Sequence, residues 1–298
     1  MQEIIPHQGE ILSLLSAVLW GLAVILFRKS GEKVHPLSLN AFKNILAIIL
    51  LVPTMMIFNE TLFLKVPVLT YGILALSGFI GIGIGDTLLF ASLNRLGAGR
   101  TGIVVCMYSP FIIMLSLIFL KEHLTLLQIF GATLIIFAVL IATSEREVRP
   151  IDKSRLLSGV LLGVLASAAA AVGVIIMKPV LEQSPLLWAT QIRLFGGMVA
   201  LVAIIAFHPQ RKILMHSLTR TKSWKYTISG SVVGAYIAMV VWLGGMKFAQ
   251  ASVASALNQT STIFIFIFAG IFLKEPMDIK RTIGIILAFT GSFLVSFG

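Results

Sequence analysis

The chain has 298 residues, 58% of them hydrophobic and 12% charged, with a mean hydropathy of +1.00. Soluble domains carry about 25% charged residues, and no water-soluble fold of this length hides so large an apolar share, so the composition is that of an integral membrane protein. A net charge of +11 is the mark of a nucleic-acid binder in a soluble protein, but here the basic residues sort by loop, as shown below. The lone cysteine, Cys106, excludes a disulfide framework and a cysteine metal cluster. The five histidines, His7, His35, His123, His208 and His216, make no metal-ligand spacing. No metal or cofactor is expected.

A spanning helix needs about 20 mostly apolar residues. Read in chain order, spans fall near 11–27, 37–58, 68–93, 97–120, 126–143, 156–177, 185–207, 227–246, 249–273 and 280–297. The first has acidic Glu3 and Glu10 ahead of it, no Lys or Arg, and no small-residue cleavage pattern after it. It is therefore expected to stay as an anchor. The joins near 94–97 and 246–250 are so short that their flanking helices must run antiparallel. Ten-residue alternating segments, the pattern of a membrane barrel, are absent. The expected fold class is an all-α integral membrane protein with ten transmembrane helices.

Alternate loops lie on opposite faces of the bilayer. Seventeen of the 23 Lys and Arg fall in the odd-numbered loops and four (Lys65, Lys121, Lys178 and Lys247) on the face carrying both termini. Positive charge accumulates in the cytoplasm, so both termini are expected outside, and orientation accounts for the basicity without nucleic acid.

The segment Ile118-Phe119-Leu120-Lys121-Glu122 recurs as Ile271-Phe272-Leu273-Lys274-Glu275, an offset of 153 at which Gly81 also meets Gly234 and Gly131 meets Gly284. Nearer the start the offset is about 150, pairing Arg28 with Lys178 and Lys43 with Arg193. The chain therefore divides into a first five-helix repeat (1–143), a charged cytoplasmic linker (144–155) and a second repeat (156–298). Five is odd, so the second copy is threaded in the opposite direction. Inverted repeats are the architecture of alternating-access transporters, with the substrate site at mid-membrane between the halves.

Residues 90–142 (FASLNRLGAGRTGIVV…SPFIIMLSLIFLKEHLTLLQIFGATLIIFAVLIA) and their copy from Gly245 onward (GMKFAQASVASALNQTSTIFIFIFAGIFLKEPMDIKRTIGIILAFTGSFLVS) each contain a short join, a long apolar helix ending in Lys-Glu and a final Gly-containing helix. In this the chain resembles the EamA-type transporters of the drug/metabolite transporter superfamily, over essentially its whole length. The resemblance implies a secondary transporter, an exporter of a small metabolite such as an amino acid or related compound, in a bacterial cytoplasmic (inner) membrane. It implies a small-molecule substrate and the lipid bilayer as partners, with a monomer or homodimer as the assembly. Ile263 stands where the first copy has Pro110, so a proline kink is expected in the first half alone. A lipid-modifying membrane enzyme and a channel are the competing classes. The first normally needs paired intramembrane acids or a His cluster, and Asp86 alone supplies neither.

Charges within spans are costly. Lys43 and Asp86 lie at matching depths, roughly 9 and 10 Å from the cytoplasmic ends of spans 2 and 3 at 1.5 Å per residue, so an ion pair is geometrically open to them. They are read as a titratable coupling pair, against a structural reading in which Lys43 snorkels. Arg193 lies roughly 12 Å into span 7, and the repeat places Met239 where the first half has Asp86. It therefore has no symmetry-related acid. A substrate carboxylate suits its guanidinium, and Gln191, Glu182 and Glu122 are the alternatives within the chain. Asn258-Gln259-Thr260-Ser261-Thr262 lies near the middle of span 9, with Cys106, Met107, Tyr108 and Ser109 at the equivalent depth of span 4. Asn258, Gln259 and Thr262 are read as substrate-facing, with plain interhelical hydrogen bonding as the alternative. Trp20, Tyr108 and Tyr236 are candidate cavity walls, whereas Trp188, Trp224, Trp242, Tyr71 and Tyr226 sit near span ends and are read as interfacial belt. Gly78, Gly81, Gly83 and Gly85 lead into Asp86 and serve either close helix packing or movement of span 3.

Overall fold

A computed structural model describes residues 7–119, 125–143, 152–209, 211–219, 221–274 and 279–297. Every regular element among them is helical: α1 (Gln8–Gly31), α2 (Pro36–Ile57), α3 (Val68–Leu96), α4 (Ala98–Phe119), α5 (Leu126–Thr143), α6 (Lys153–Glu182), α7 (Leu186–Phe207), the short α8 (Arg211–Thr219), α9 (Trp224–Phe248), α10 (residues 251–273) and α11 (Ile279–Phe297). Eight of them, α1 to α4, α6, α7, α9 and α10, are long and apolar enough to cross a membrane. The protein is a multi-pass, all-helical membrane protein. Glu122, Glu275 and the linker stretch 144–151 lie outside the described residues.

Helix association in lipid lacks a hydrophobic drive between helices and relies on close backbone approach. A Cβ added at Gly9 would stand 2.6 Å from Ala249, and one added at Gly21 would stand 2.7 Å from the Cβ of Phe264, which fixes α1 against α9 and α10. A Cβ at Gly78 would collide with the carbonyl oxygen of Arg193, so α3 and α7 cross backbone to backbone there. Hydroxyls add directed links: Ser77 donates to the Gly173 carbonyl at 2.7 Å and Ser92 to the Gly159 carbonyl at 2.8 Å, tying α3 to α6. At the other end of α6, buried Lys178 donates to the carbonyls of Met246 and Ala249 at 2.6 and 2.9 Å and pairs with Glu182. The join between α3 and α4 is Gly97 alone, at φ 84°, a left-handed value suited to glycine.

Four long helices are interrupted near their middles, at matched places. In α3 the segment Phe79–Gly85 is π-helical, and in α9 so is Ser231–Ala238; the offset of 153 carries one onto the other. Three glycines in the first segment weaken the α-helical preference. The Asn40 amide on α2 compensates, donating at 2.9 Å to the Ile82 carbonyl and at 2.9 Å to Thr87 Oγ1. In α4 a 3₁₀ turn at Val105–Met107 precedes Pro110, whose ring displaces the carbonyl four residues back, that of Cys106. Gln259 Nε2 donates to that carbonyl at 3.0 Å and to Val105 O at 3.1 Å. The expectation of a break in the first half alone needs correcting. α10 is interrupted too, between Ala251–Gln259 and Ser261–Phe268. Without proline, polar side chains do it: Thr260 Oγ1 donates at 2.7 Å to Leu257 O, and Thr260 N and Ile263 N make i to i−3 bonds.

Candidate functional site

The interrupted helices surround a cavity of about 150 Å³. Its walls come from six helices, three from each half, and most lining residues pair off at the offsets found in the sequence. On α1 and α6, Ser16 answers Ala166 and Trp20 answers Ala170. On α3 and α9, Gly85 answers Ala238, Asp86 answers Met239 and Leu89 answers Trp242. On α4 and α10, Val105 answers Asn258 and Tyr108 answers Ser261. The wall is mostly apolar with a few polar groups, the usual make-up of a small-molecule site.

Among the described residues, Asp86 is the one charged side chain in that lining. Its Oδ2 accepts from Lys43 Nζ at 2.7 Å. Lys43 stands behind the wall, 2% exposed, and its ammonium also reaches Asn44 Oδ1 at 3.4 Å and faces the Phe90 ring at 5.8 Å. Asn44 in turn donates to Asn40 Oδ1 at 3.0 Å. The network that satisfies the π-helical turn therefore also holds the ion pair.

Arg193 occupies the equivalent place in the second half, on α7 behind the wall, but pairs with no acid among the described residues. It is 2% exposed, with its guanidinium over the Trp242 ring at 5.5 Å. Its Nε and Nη1 make no hydrogen bond among the described residues, and neither does the hydroxyl of neighbouring Tyr108. Glu182 is taken by Lys178, and Gln191 Nε2 points to Ile48 O at 3.5 Å. A cation–π contact returns about 0.5–2 kcal/mol. An unmade hydrogen bond on a buried group costs about 1–3 kcal/mol, more when the group is charged. The wall behind Trp242 therefore holds a buried cation with no paired acid among the described residues.

Of the residues singled out in the sequence, Trp20, Asp86, Tyr108, Asn258 and Gln259 meet at this cavity. Asn258 also donates to Ser16 Oγ. Lys43 and Arg193 stand behind it. Tyr236 points away, its hydroxyl 2.6 Å from Thr54 Oγ1 on α2, and Thr262 joins α10 to α4 by donating to Gly102 O at 3.2 Å and lying 3.1 Å from Cys106 Sγ. Trp242, expected at the interface, is a wall of the cavity, four residues past the π-helical turn of α9. Trp188 likewise is core, fully buried with Nε1 donating to Leu62 O at 3.2 Å. The offset of 153 applied to Leu89 is the signal that finds Trp242. Among the described residues no group of three or more His, Cys, Asp or Glu side chains comes together.

The sequence profile of the EamA-like transporter family matches twice, over residues 7–144 and 157–297. The chain belongs to the EamA-like transporter family. An uncharacterized transporter of Methanothermobacter thermautotrophicus is 22% identical over 96% of this EamA chain and 85% of its own. One from Archaeoglobus fulgidus is 21% identical over 96% of each. A Methanocaldococcus jannaschii protein is 34% identical over 134 residues, covering 44% of the EamA chain and 93% of itself. A crystal structure covering 97% of the chain superimposes with a TM-score of 0.72 at 15% identity, a likeness of fold.

Proposed function

We propose that this EamA-family transporter carries a small organic metabolite through the central cavity by alternating access. In this reading ten helices span the membrane as two inverted five-helix repeats, residues 1–143 and 156–298, joined by the cytoplasmic linker 144–155. The observation that carries it is the repeat-related wall: α1, α3 and α4 face α6, α9 and α10 across one cavity, each helix contributing at equivalent positions. Rocking of one such half against the other is how inverted repeats expose a central site to each face in turn. The π-helical turns in α3 and α9 and the breaks in α4 and α10 are points where these helices can bend. A relative that amounts to little more than one half also supports the two-unit organisation.

The basic loops favour both termini outside and a cytoplasmic-membrane location, and the family resemblance favours export by a monomer or homodimer. Trp20, Tyr108, Asn258 and Gln259 contact substrate in this reading, and the Lys43–Asp86 pair is the route for proton coupling. Tyr236 and Thr262 support the wall rather than touch substrate.

The test is a thermal-shift screen of amino acids, nucleosides and vitamins against the purified protein, with hits followed in proteoliposomes. Exchange of a preloaded labelled hit for external unlabelled hit is expected, with an imposed proton gradient changing the rate if Asp86 couples. A steady ion conductance without exchange would replace the reading by a channel, and chemical conversion of the hit would replace it by an enzyme.

A further inference from the structure

We propose that Arg193 and Tyr108 form an anion-recognition subsite of the cavity, and that the transported compound bears a carboxylate on an apolar body. The assignment rests on the transport reading. Its basis is an asymmetry within a symmetric frame. Each half places one cation behind the cavity wall, Lys43 on α2 and Arg193 on α7. The first half answers its cation with Asp86 at 2.7 Å. The second half has Met239 at the equivalent position, so no carboxylate stands there.

Two unmet groups border the cavity, one in its wall and one stacked on a wall residue. Arg193, 2% exposed, leaves Nε and Nη1 without acceptors among the described residues, and Tyr108, 9% exposed and in the cavity wall, leaves its hydroxyl without a partner among them. The guanidinium rests meanwhile on the face of Trp242, itself a wall residue. An incoming carboxylate would take donors from Arg193 and the Tyr108 hydroxyl in a charge-assisted arrangement. Charge balance selects the class. Among the described residues Lys43 and Asp86 pair, which leaves the Arg193 charge and matches a monoanion; a phosphate monoester, near −2 at neutral pH, would overfill it. Trp20 and Trp242 supply flat apolar surfaces for the body of the compound.

The test uses acetate, butyrate, phenylacetate and indole-3-acetate, each beside its carboxamide and its amine, as probes of thermal stability and affinity with purified protein in detergent. The larger acids are expected to stabilise the protein and their amides and amines to do so far less. Arg193→Gln is expected to weaken acid binding by on the order of 30-fold or more, the scale for losing one partner of a buried charge pair. Tyr108→Phe removes a hydroxyl that bonds nothing among the described residues and so leaves the fold intact. It is expected to weaken acid binding by about 3- to 10-fold. Phenylacetate is further expected to change Trp emission as the guanidinium leaves the indole, a change absent in Trp242→Phe.

Amides or amines binding as tightly as acids, no binding of any acid, or unchanged acid affinity in both Arg193→Gln and Tyr108→Phe would overturn the subsite. Exchange of an amide or amine but no acid would overturn it while leaving the transport reading standing. Acid binding without exchange would do the reverse.

Discussion

Replacing Asp86 by asparagine is expected to destabilise the protein more than replacing Lys43 by methionine, although both changes break one ion pair. The reason is what each leaves behind. Asp86→Asn leaves an ammonium that is 2% exposed without its counter-charge, beside Asn44 Oδ1 at 3.4 Å and the Phe90 ring. Lys43→Met strands a carboxylate whose side chain is 17% exposed in the wall of the cavity. Orphaning a buried charge costs about 3–5 kcal/mol, and the introduced amide retains a weaker acceptor, so about 3 kcal/mol is expected for Asp86→Asn. Solvent discounts the other case to about 1–2 kcal/mol. The double variant leaves no charge unpaired and should be less destabilised than the sum of the singles by about 2 kcal/mol. Unfolding in mixed micelles, titrated with a denaturing detergent and followed by tryptophan emission, measures all four corners of this cycle. The reverse ranking, or a double variant equal to the sum of the singles, would refute the burial argument.

Asn40→Leu removes the amide that serves the Ile82 carbonyl and Thr87 and is expected to cost about 1–3 kcal/mol, with hydrogen exchange rising at 79–87; unchanged exchange there would show that the π-helical turn needs no outside donor. Gly78→Ala forces α3 away from the Arg193 carbonyl and should cost about 1–3 kcal/mol by thermal unfolding, whereas Gly72→Ala, with open space around it, should be neutral or slightly stabilising. His35 caps α2 by accepting at Nδ1 from Leu37 N at 3.2 Å, and burial together with nearby His208 holds its imidazole below the ordinary 6.5. Because the folded form resists protonation, its contribution is complete above about pH 6.5 and is lost as pH falls from there toward the lower folded value. His35→Asn keeps an acceptor at the cap but does not titrate, so it should flatten the stability profile below about pH 6.5; an unchanged acid limb would remove His35 as its source.

Class and family are legible along the chain because both rest on quantities that sum over it. Apolar content over windows of about 20 residues decides that helices lie in lipid, and a repeated segment at a fixed offset shows two related halves. Depth was legible too: Lys43 and Asp86 were matched by counting residues at 1.5 Å each, and they meet at 2.7 Å. Rotation was not, because a helix that is apolar all round has no periodic signal to say which side faces a neighbour. So Tyr236, at the expected depth, turns to Thr54 instead of the cavity, while Trp242, placed at the interface by its nearness to a span end, walls the cavity, a case in which depth misled. A π-helical turn changes the angle between residues that a regular helix would fix, and its carbonyls are satisfied by distant groups such as Asn40. Only the packed fold can place such a donor, and only there does Arg193 show itself as a buried cation whose Nε and Nη1 find no acceptor among the described residues.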